Sequence, residues 1–145
     1  MLNSDYSRGR QLLIQCGGYG NLRQVLVLLR RFMKLNEFKV YSSKFNQPWY
    51  FAKPDDTEKI LREIGFINTG VHLDNDRVNL TNRDLYVKFV KTVIMKPFLE
   101  CLPDDKIRNS YLELFLHQVE KRNNRSTKTP WSLDYVRLNI IADKP

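Results

Sequence analysis

The sequence predicts an α/β fold, and three observations carry that prediction. An apolar run, Leu12-Leu13-Ile14, leads into the glycine-rich stretch Gln15-Cys16-Gly17-Gly18-Tyr19-Gly20-Asn21, and an amphipathic segment starts at Leu22. That is the order strand, turn, helix. Residues 66–74 alternate, with Ile67, Thr69, Val71 and Leu73 on one face and Asn68, His72 and Asp74 on the other. The end of the chain alternates again, Val136, Leu138, Ile140 and Ala142 against Arg137, Asn139, Ile141 and Asp143. Helical spacing fills most of the chain between these strands.

Residues 10–16 read as a buried strand, and residues 21–35 as a helix. In the helix Leu22, Val25, Leu26, Leu29, Phe32 and Met33 share one face, with Arg23, Arg30 and Lys34 opposite. Residues 36–54 have no period. They hold Phe38, Tyr41, Phe45, Trp49, Tyr50 and Phe51, with Pro48 and Pro54 as breakers. Loops usually run exposed and polar, so so aromatic a loop must either pack on something or bind something. A short helix follows from Thr57 to Ile64, with Asp55 or Asp56 as its cap and Gly65 as the residue that closes it. Thr81 and Asp84 form a variant of the capping box for a helix from Arg83 to Met95, which Pro97 should end or kink. Pro103 opens another helix, with Ile107, Tyr111, Leu114, Phe115 and Val119 on its apolar side. These helices make residues 81–128 an insertion between the last two strands, which remain free to pair antiparallel.

Composition narrows the function. A chain of 145 residues is one domain or a large part of one. No apolar run approaches the ~18 residues that span a bilayer, so no membrane contact is expected. The start, Met1 to Arg10, lacks the apolar stretch of a secretory leader, and a cytoplasmic location follows as the default. Cys16 and Cys101 match neither a disulfide framework nor a zinc spacing, and read as buried, inert thiols. The net charge of +8 favours polyanions. Its densest cluster, from Lys121-Arg122 to Lys128, lies in what reads as a solvated polar turn. No zinc-finger, KH or RNP1 signature accompanies it, so specific nucleic-acid recognition is not expected.

No nucleophile–base–acid set is visible, and His72 and His117 have no metal spacing. The glycine stretch is not a dinucleotide fingerprint either. Gly18 and Gly20 fit the first two positions of G-x-G-x-x-G, but Arg23 stands where the third glycine packs helix on strand.

Four blocks together carry a resemblance: GRQLLIQCGGYGN, PWYFAKPDDTEKILREIGF, VIMKPFLECLPDDKI and YVRLNIIADKP. In order and spacing the chain resembles the C-terminal half of a class I S-adenosylmethionine-dependent methyltransferase of the trans-aconitate methyltransferase-like kind. The resemblance implies three strands of a Rossmann-like mixed sheet, with its terminal pair reversed and a helical cap inserted over the substrate side. It also implies that the glycine-rich cofactor loop and the ribose-holding acid belong to an N-terminal half that nothing here matches. The acceptor would be a small molecule, a carboxylic acid being one class. Methyl transfer mainly needs that acceptor held in line with an already activated sulfonium, so the lack of a triad is no objection.

On this resemblance the acceptor side draws on Trp49 and Tyr50 of the PWYF block, and on Lys96 and Phe98 at the end of a cap helix. Lys96 keeps the charge of an arginine often found there but loses its bidentate fork. Gln15 and Cys16 lie at the carboxyl end of the first strand, where ligands collect in open α/β sheets, and would touch S-adenosylmethionine. Cutting a sheet before that strand exposes an edge, so self-association or dependence on the missing half is expected. Two rivals remain: a non-enzymatic half-domain acting as an interaction module, and a basic nucleic-acid-binding domain.

Overall fold

The computed structural model describes residues 9–126 and 131–145. In chain order the elements are β1 (Arg10–Gly17), α1 (Arg23–Phe32), a 3-10 turn (Lys39–Lys44), α2 (Pro54–Glu63), β2 (Ile67–Asn79), α3 (Arg83–Phe89), a π turn (Val90–Ile94), α4 (Lys96–Glu100), α5 (Asp105–Ser126) and β3 (Ser132–Lys144). The fold is mixed α/β, as the sequence predicts. It divides into two compact units. One gathers the described part of Met1–Asn21 with Phe51–Asp76 and Tyr135–Pro145; the other gathers Leu22–Tyr50 and Arg77–Asp134.

The first unit holds the three-stranded sheet, in the order β1-β3-β2. The last strand in sequence is central and runs antiparallel to both neighbours, with Leu12 opposite Ala142 and Cys16 opposite Leu138. Each neighbouring pair is therefore antiparallel. On β3 the expected alternation holds: Leu138 and Ala142 are buried, and Ile141 opens to solvent.

β1 is not the buried strand its composition suggests. It is an edge strand, and Leu13 is 65% and Ile14 43% exposed. Cys16 is exposed too, which corrects its reading as a buried thiol, while Cys101 is buried as expected. Burial raises the Cys101 thiol pKa, with the Glu100 carboxylate adding to the effect.

The glycine stretch owes its composition to close packing. Gly18 N–H donates to Val136 O at 2.8 Å and Tyr19 N–H to Ala52 O at 2.9 Å. The side chain of Asn21, a buried polar residue, accepts from Val136 N–H at 2.9 Å. A Cβ on Gly17 would lie 2.7 Å from Asn21 Nδ2 and 3.0 Å from Phe51 Cε1. Gly20 has φ 87°, a left-handed turn position.

α2 starts earlier than its acidic pair suggests. Lys53 is the N-cap and Pro54 opens the helix, leaving Asp55 and Asp56 in the first turn rather than at the cap. Gly65, at φ 91°, closes it. Its N–H donates to Arg62 O and that of Phe66 to Leu61 O, the paired bonds of a Schellman ending. Glu58 ties this helix to β2. Its Oε1 accepts from Thr69 Oγ1 at 2.9 Å and from Arg62 Nη2 at 2.7 Å. The Thr69 hydroxyl and the Arg62 guanidinium hold the Glu58 carboxyl below its usual pKa.

The second unit is helical, with its core around Tyr111 of α5. Phe32 and Phe38 meet that ring edge-on, at 6.3 and 5.0 Å between centroids, and Phe98 lies 6.4 Å away. The expected helix over 21–35 regularises only from Arg23 to Phe32, because Leu22 sits in the left-handed region at φ 53°. The N-cap of α3 is Asn82, not Thr81; its side chain accepts from Leu85 N–H at 3.0 Å. Pro97 does not end the helical run. The turn before it widens, with Met95 N–H donating to Val90 O at 2.7 Å, and Pro97 then sits in the first turn of α4. Pro103 likewise stands before α5, whose start is capped by Asp104 Oδ1 accepting from Ile107 N–H at 2.9 Å. α5 continues to Ser126, so Lys121 and Arg122 are helical rather than in a turn; Lys128, like Met1–Arg8, lies outside the described residues.

Candidate functional site

In the first unit, strand pleating brings alternate residues of three strands onto one open face. Leu13 and Gln15 of β1, His72 and Asp74 of β2, and Asn139 and Ile141 of β3 line a shallow concavity of ≈ 490 Å³. A string of polar side chains crosses it. Gln15 Nε2 donates to Asn139 Oδ1 at 2.8 Å, and Asn139 Nδ2 donates to Asp74 Oδ2 at 2.7 Å. His72 Nε2 stands 3.5 Å from the same Asp74 oxygen, an ion pair only when the imidazole is protonated.

This arrangement holds no nucleophile paired with a base. It offers amide and carboxylate groups joined by hydrogen bonds and flanked by isoleucine and leucine side chains. Of the expected cofactor-side residues, Gln15 belongs to this face. Cys16, next along β1, points to the other face. His72, Asp74 and Asn139 were legible only as the polar side of their strands; their convergence depends on the register between strands.

The expected acceptor residues all lie in the second unit. Trp49 is half-buried, and its carbonyl accepts from Gln47 Nε2 at 2.9 Å. Gln47 in turn accepts from Arg30 of α1, which anchors this stretch of the aromatic loop. Tyr50 is 82% exposed. Phe98 has no exposed surface, and its ring stacks on Phe45 at 4.4 Å. Most of the aromatic loop's residues that were expected to pack or bind thus do different things: Phe38 and Phe45 pack, while Tyr50 faces solvent. Lys96 is exposed on α4, with its Nζ 3.8 Å from Glu100 Oε1.

Among the described residues no group of histidine, cysteine and acidic side chains could hold a metal ion. None of the described helices is long and apolar enough to cross a membrane. His117 is exposed on α5. No protein-family model matches the chain, and no curated protein matches it.

Proposed function

We propose that the chain is the C-terminal portion of a class I S-adenosylmethionine-dependent methyltransferase domain, acting on a small molecule, with a carboxylic acid as one acceptor class. One observation carries this reading. β3 is reversed between β1 and β2, and among the described residues β1 is paired on one side only, the other being the side where the resemblance puts the front strands of the sheet. The helices from Arg83 to Ser126 correspond to the cap. In this reading Trp49, Tyr50 and Lys96 serve the acceptor, and the buried Phe98 supports the aromatic loop through Phe45.

The residues present do not suffice to hold the cofactor. Phe51, Asn21, Leu73 and Leu138 crowd the Gly17-Gly18 turn so closely that the glycines serve packing, not a ligand. Gln15 has its amide committed to Asn139. Calorimetric titration of this chain with S-adenosylmethionine should therefore show no micromolar binding. Binding should emerge when the chain is produced in one polypeptide with its upstream coding sequence. Micromolar affinity in the chain alone, or none in the longer product, would reject the reading.

A second reading is favoured by the edge itself. Among the described residues β1 is an edge strand, with Leu13 and Ile14 exposed, so the first unit suits an interaction module that adds a strand from another chain. The weight-average mass in sedimentation should rise with concentration, and substituting lysine for Leu13 should suppress the rise. A sharply monomeric species at high concentration argues against this reading.

A further inference from the structure

We propose that the outer face of α1 docks on the phosphate backbone of a nucleic-acid duplex, without reading its bases. Charge is divided unevenly between the two units. Leu22–Tyr50 and Arg77–Asp134 hold 17 of the 24 lysines and arginines against 8 of the 16 aspartates and glutamates, so the helical unit carries the whole positive surplus of the chain. α1 concentrates that surplus, for it contains neither aspartate nor glutamate. Helical spacing puts Arg23, Val27, Arg30 and, just past the helix, Lys34 in one row, with Arg31 beside it. Arg23, Arg31 and Lys34 are exposed, and Arg30 is half-buried. Among the described residues none of these four cations forms a salt bridge. Arg30 donates to the neutral amide of Gln47, which leaves its charge uncompensated. Other helices pair their cations: Arg62 with Glu58 on α2, Lys96 with Glu100 on α4, and Arg108 with Asp105 on α5.

Helix stability does not account for the row. Arg30 and Arg31 sit in the last turn, where positive charge suits the helix dipole, but Arg23 sits in the first, where it opposes the dipole. Arg30 and Lys34, four residues apart and of like charge, repel one another. The chemistry of the face selects the partner. The apolar side of α1, Val25, Leu26, Leu28, Leu29 and Phe32, is buried in the protein. Val27 is then the one apolar side chain on the outer face of α1, too little to enter a bilayer below its headgroups. That face carries no aromatic ring on which an unstacked base could lie, which favours a duplex over a single strand. Three of the four cations are arginines, whose planar fork matches phosphate oxygens. Ten residues at about 1.5 Å each make α1 about 15 Å long. A duplex presents about nine phosphate charges over that length, enough to meet all four cations.

This surface is independent of the methyl-transfer reading; either can fail without the other. The test is fluorescence anisotropy of the chain against a labelled DNA duplex of mixed sequence, over a series of sodium chloride concentrations. Four phosphate contacts should weaken binding about 150-fold between about 50 and 200 mM salt, and a second duplex of unrelated sequence should behave alike. The double variant Arg23→Gln, Arg31→Gln keeps two contacts and should weaken only about 12-fold over the same range. Arg10→Gln with Lys59→Gln removes equal charge from the first unit and should keep the salt dependence of the parent. The parent's salt slope and a competition experiment need no variant, and decide the matter if a variant misfolds. In that competition, vesicles of phosphatidylserine and polyglutamate, each at equal charge, should fail to displace the duplex. No binding at about 50 mM salt, an affinity that differs between the two duplexes, the same loss of salt dependence in both double variants, or displacement by either competitor would overturn the inference.

Discussion

Tyr111→Ala should destabilise the second unit by about 3–5 kcal/mol, the usual cost of deleting a large buried aromatic ring. The ring has no exposed surface and is flanked by Phe32, Phe38 and Phe98, so the cavity would open at the centre of the helical core. Its hydroxyl also donates to Leu29 O at 2.7 Å, tying α5 to α1. Since whole domains are stable by only about 5–15 kcal/mol, the variant should lose a large share of its stability. Tyr111→Phe keeps the ring and should cost about 1 kcal/mol, one neutral hydrogen bond. Urea denaturation followed by circular dichroism separates the two. A loss below about 1 kcal/mol for alanine would mean that the core does not depend on this ring.

The same phenol sets an alkaline limit. Burial raises the pKa of Tyr111 far above its ordinary value. The protonated form is the one stabilised in the fold. Its contribution is complete below the unfolded value and is lost as pH rises beyond it, so the parent should weaken in strong alkali more than Tyr111→Phe does.

Gly18→Val should be the most damaging single change in the first unit. A Cβ at this position would press into Leu73 Cδ2 and lie 3.0 Å from Leu138 Cβ and 3.2 Å from Leu138 N. Leu73 can move the end of its side chain. Leu138 cannot retreat, because its backbone belongs to the central strand. Overpacking of this kind costs about 1–3 kcal/mol, and the branched side chain takes it to the upper end. Gly20 makes a useful contrast. Space around it is open, with Val136 Cγ2 at 3.8 Å, but its φ of 87° strains any side chain. Gly20→Asn should therefore cost less than Gly18→Val, since asparagine tolerates that conformation. Thermal unfolding and amide exchange in β3 would report both. Equal tolerance at the two positions would show that the turn is not held by close packing.

The strands show where one-dimensional reading works and where it stops. Alternation along β3 placed Leu138 and Ala142 in the core because a period of two fixes the face of every residue. It could not tell that β1 lies at an edge. An apolar run such as Leu12-Leu13-Ile14 suits a strand buried on both sides, yet its exposure is decided by neighbours far off in sequence. The polar string through Gln15, Asn139 and Asp74 escaped for the same reason: cross-strand register is not a local property. Among the helices, the apolar spacing located α5 and its buried Tyr111 and Phe115. The capping residue was missed by one position at α3, where Asn82 competes with Thr81 and both are good caps. The π turn has no signature beyond Pro97.

The place of β3 governs the order in which the chain can acquire its shape. The strand that joins the sheet comes after β1 and β2 on the ribosome, and Arg10 finds its partner only when Lys144 has been made. Until then β1 and β2 have no neighbour to pair with. The residues of α1, α4 and α5 are synthesised earlier and can collapse while the sheet is still waiting. Pairing across so long a separation pays loop-closure entropy before any bond repays it, so the sheet should form later than the local helices. During that interval β1 is a bare apolar strand, open to whatever edge it meets first.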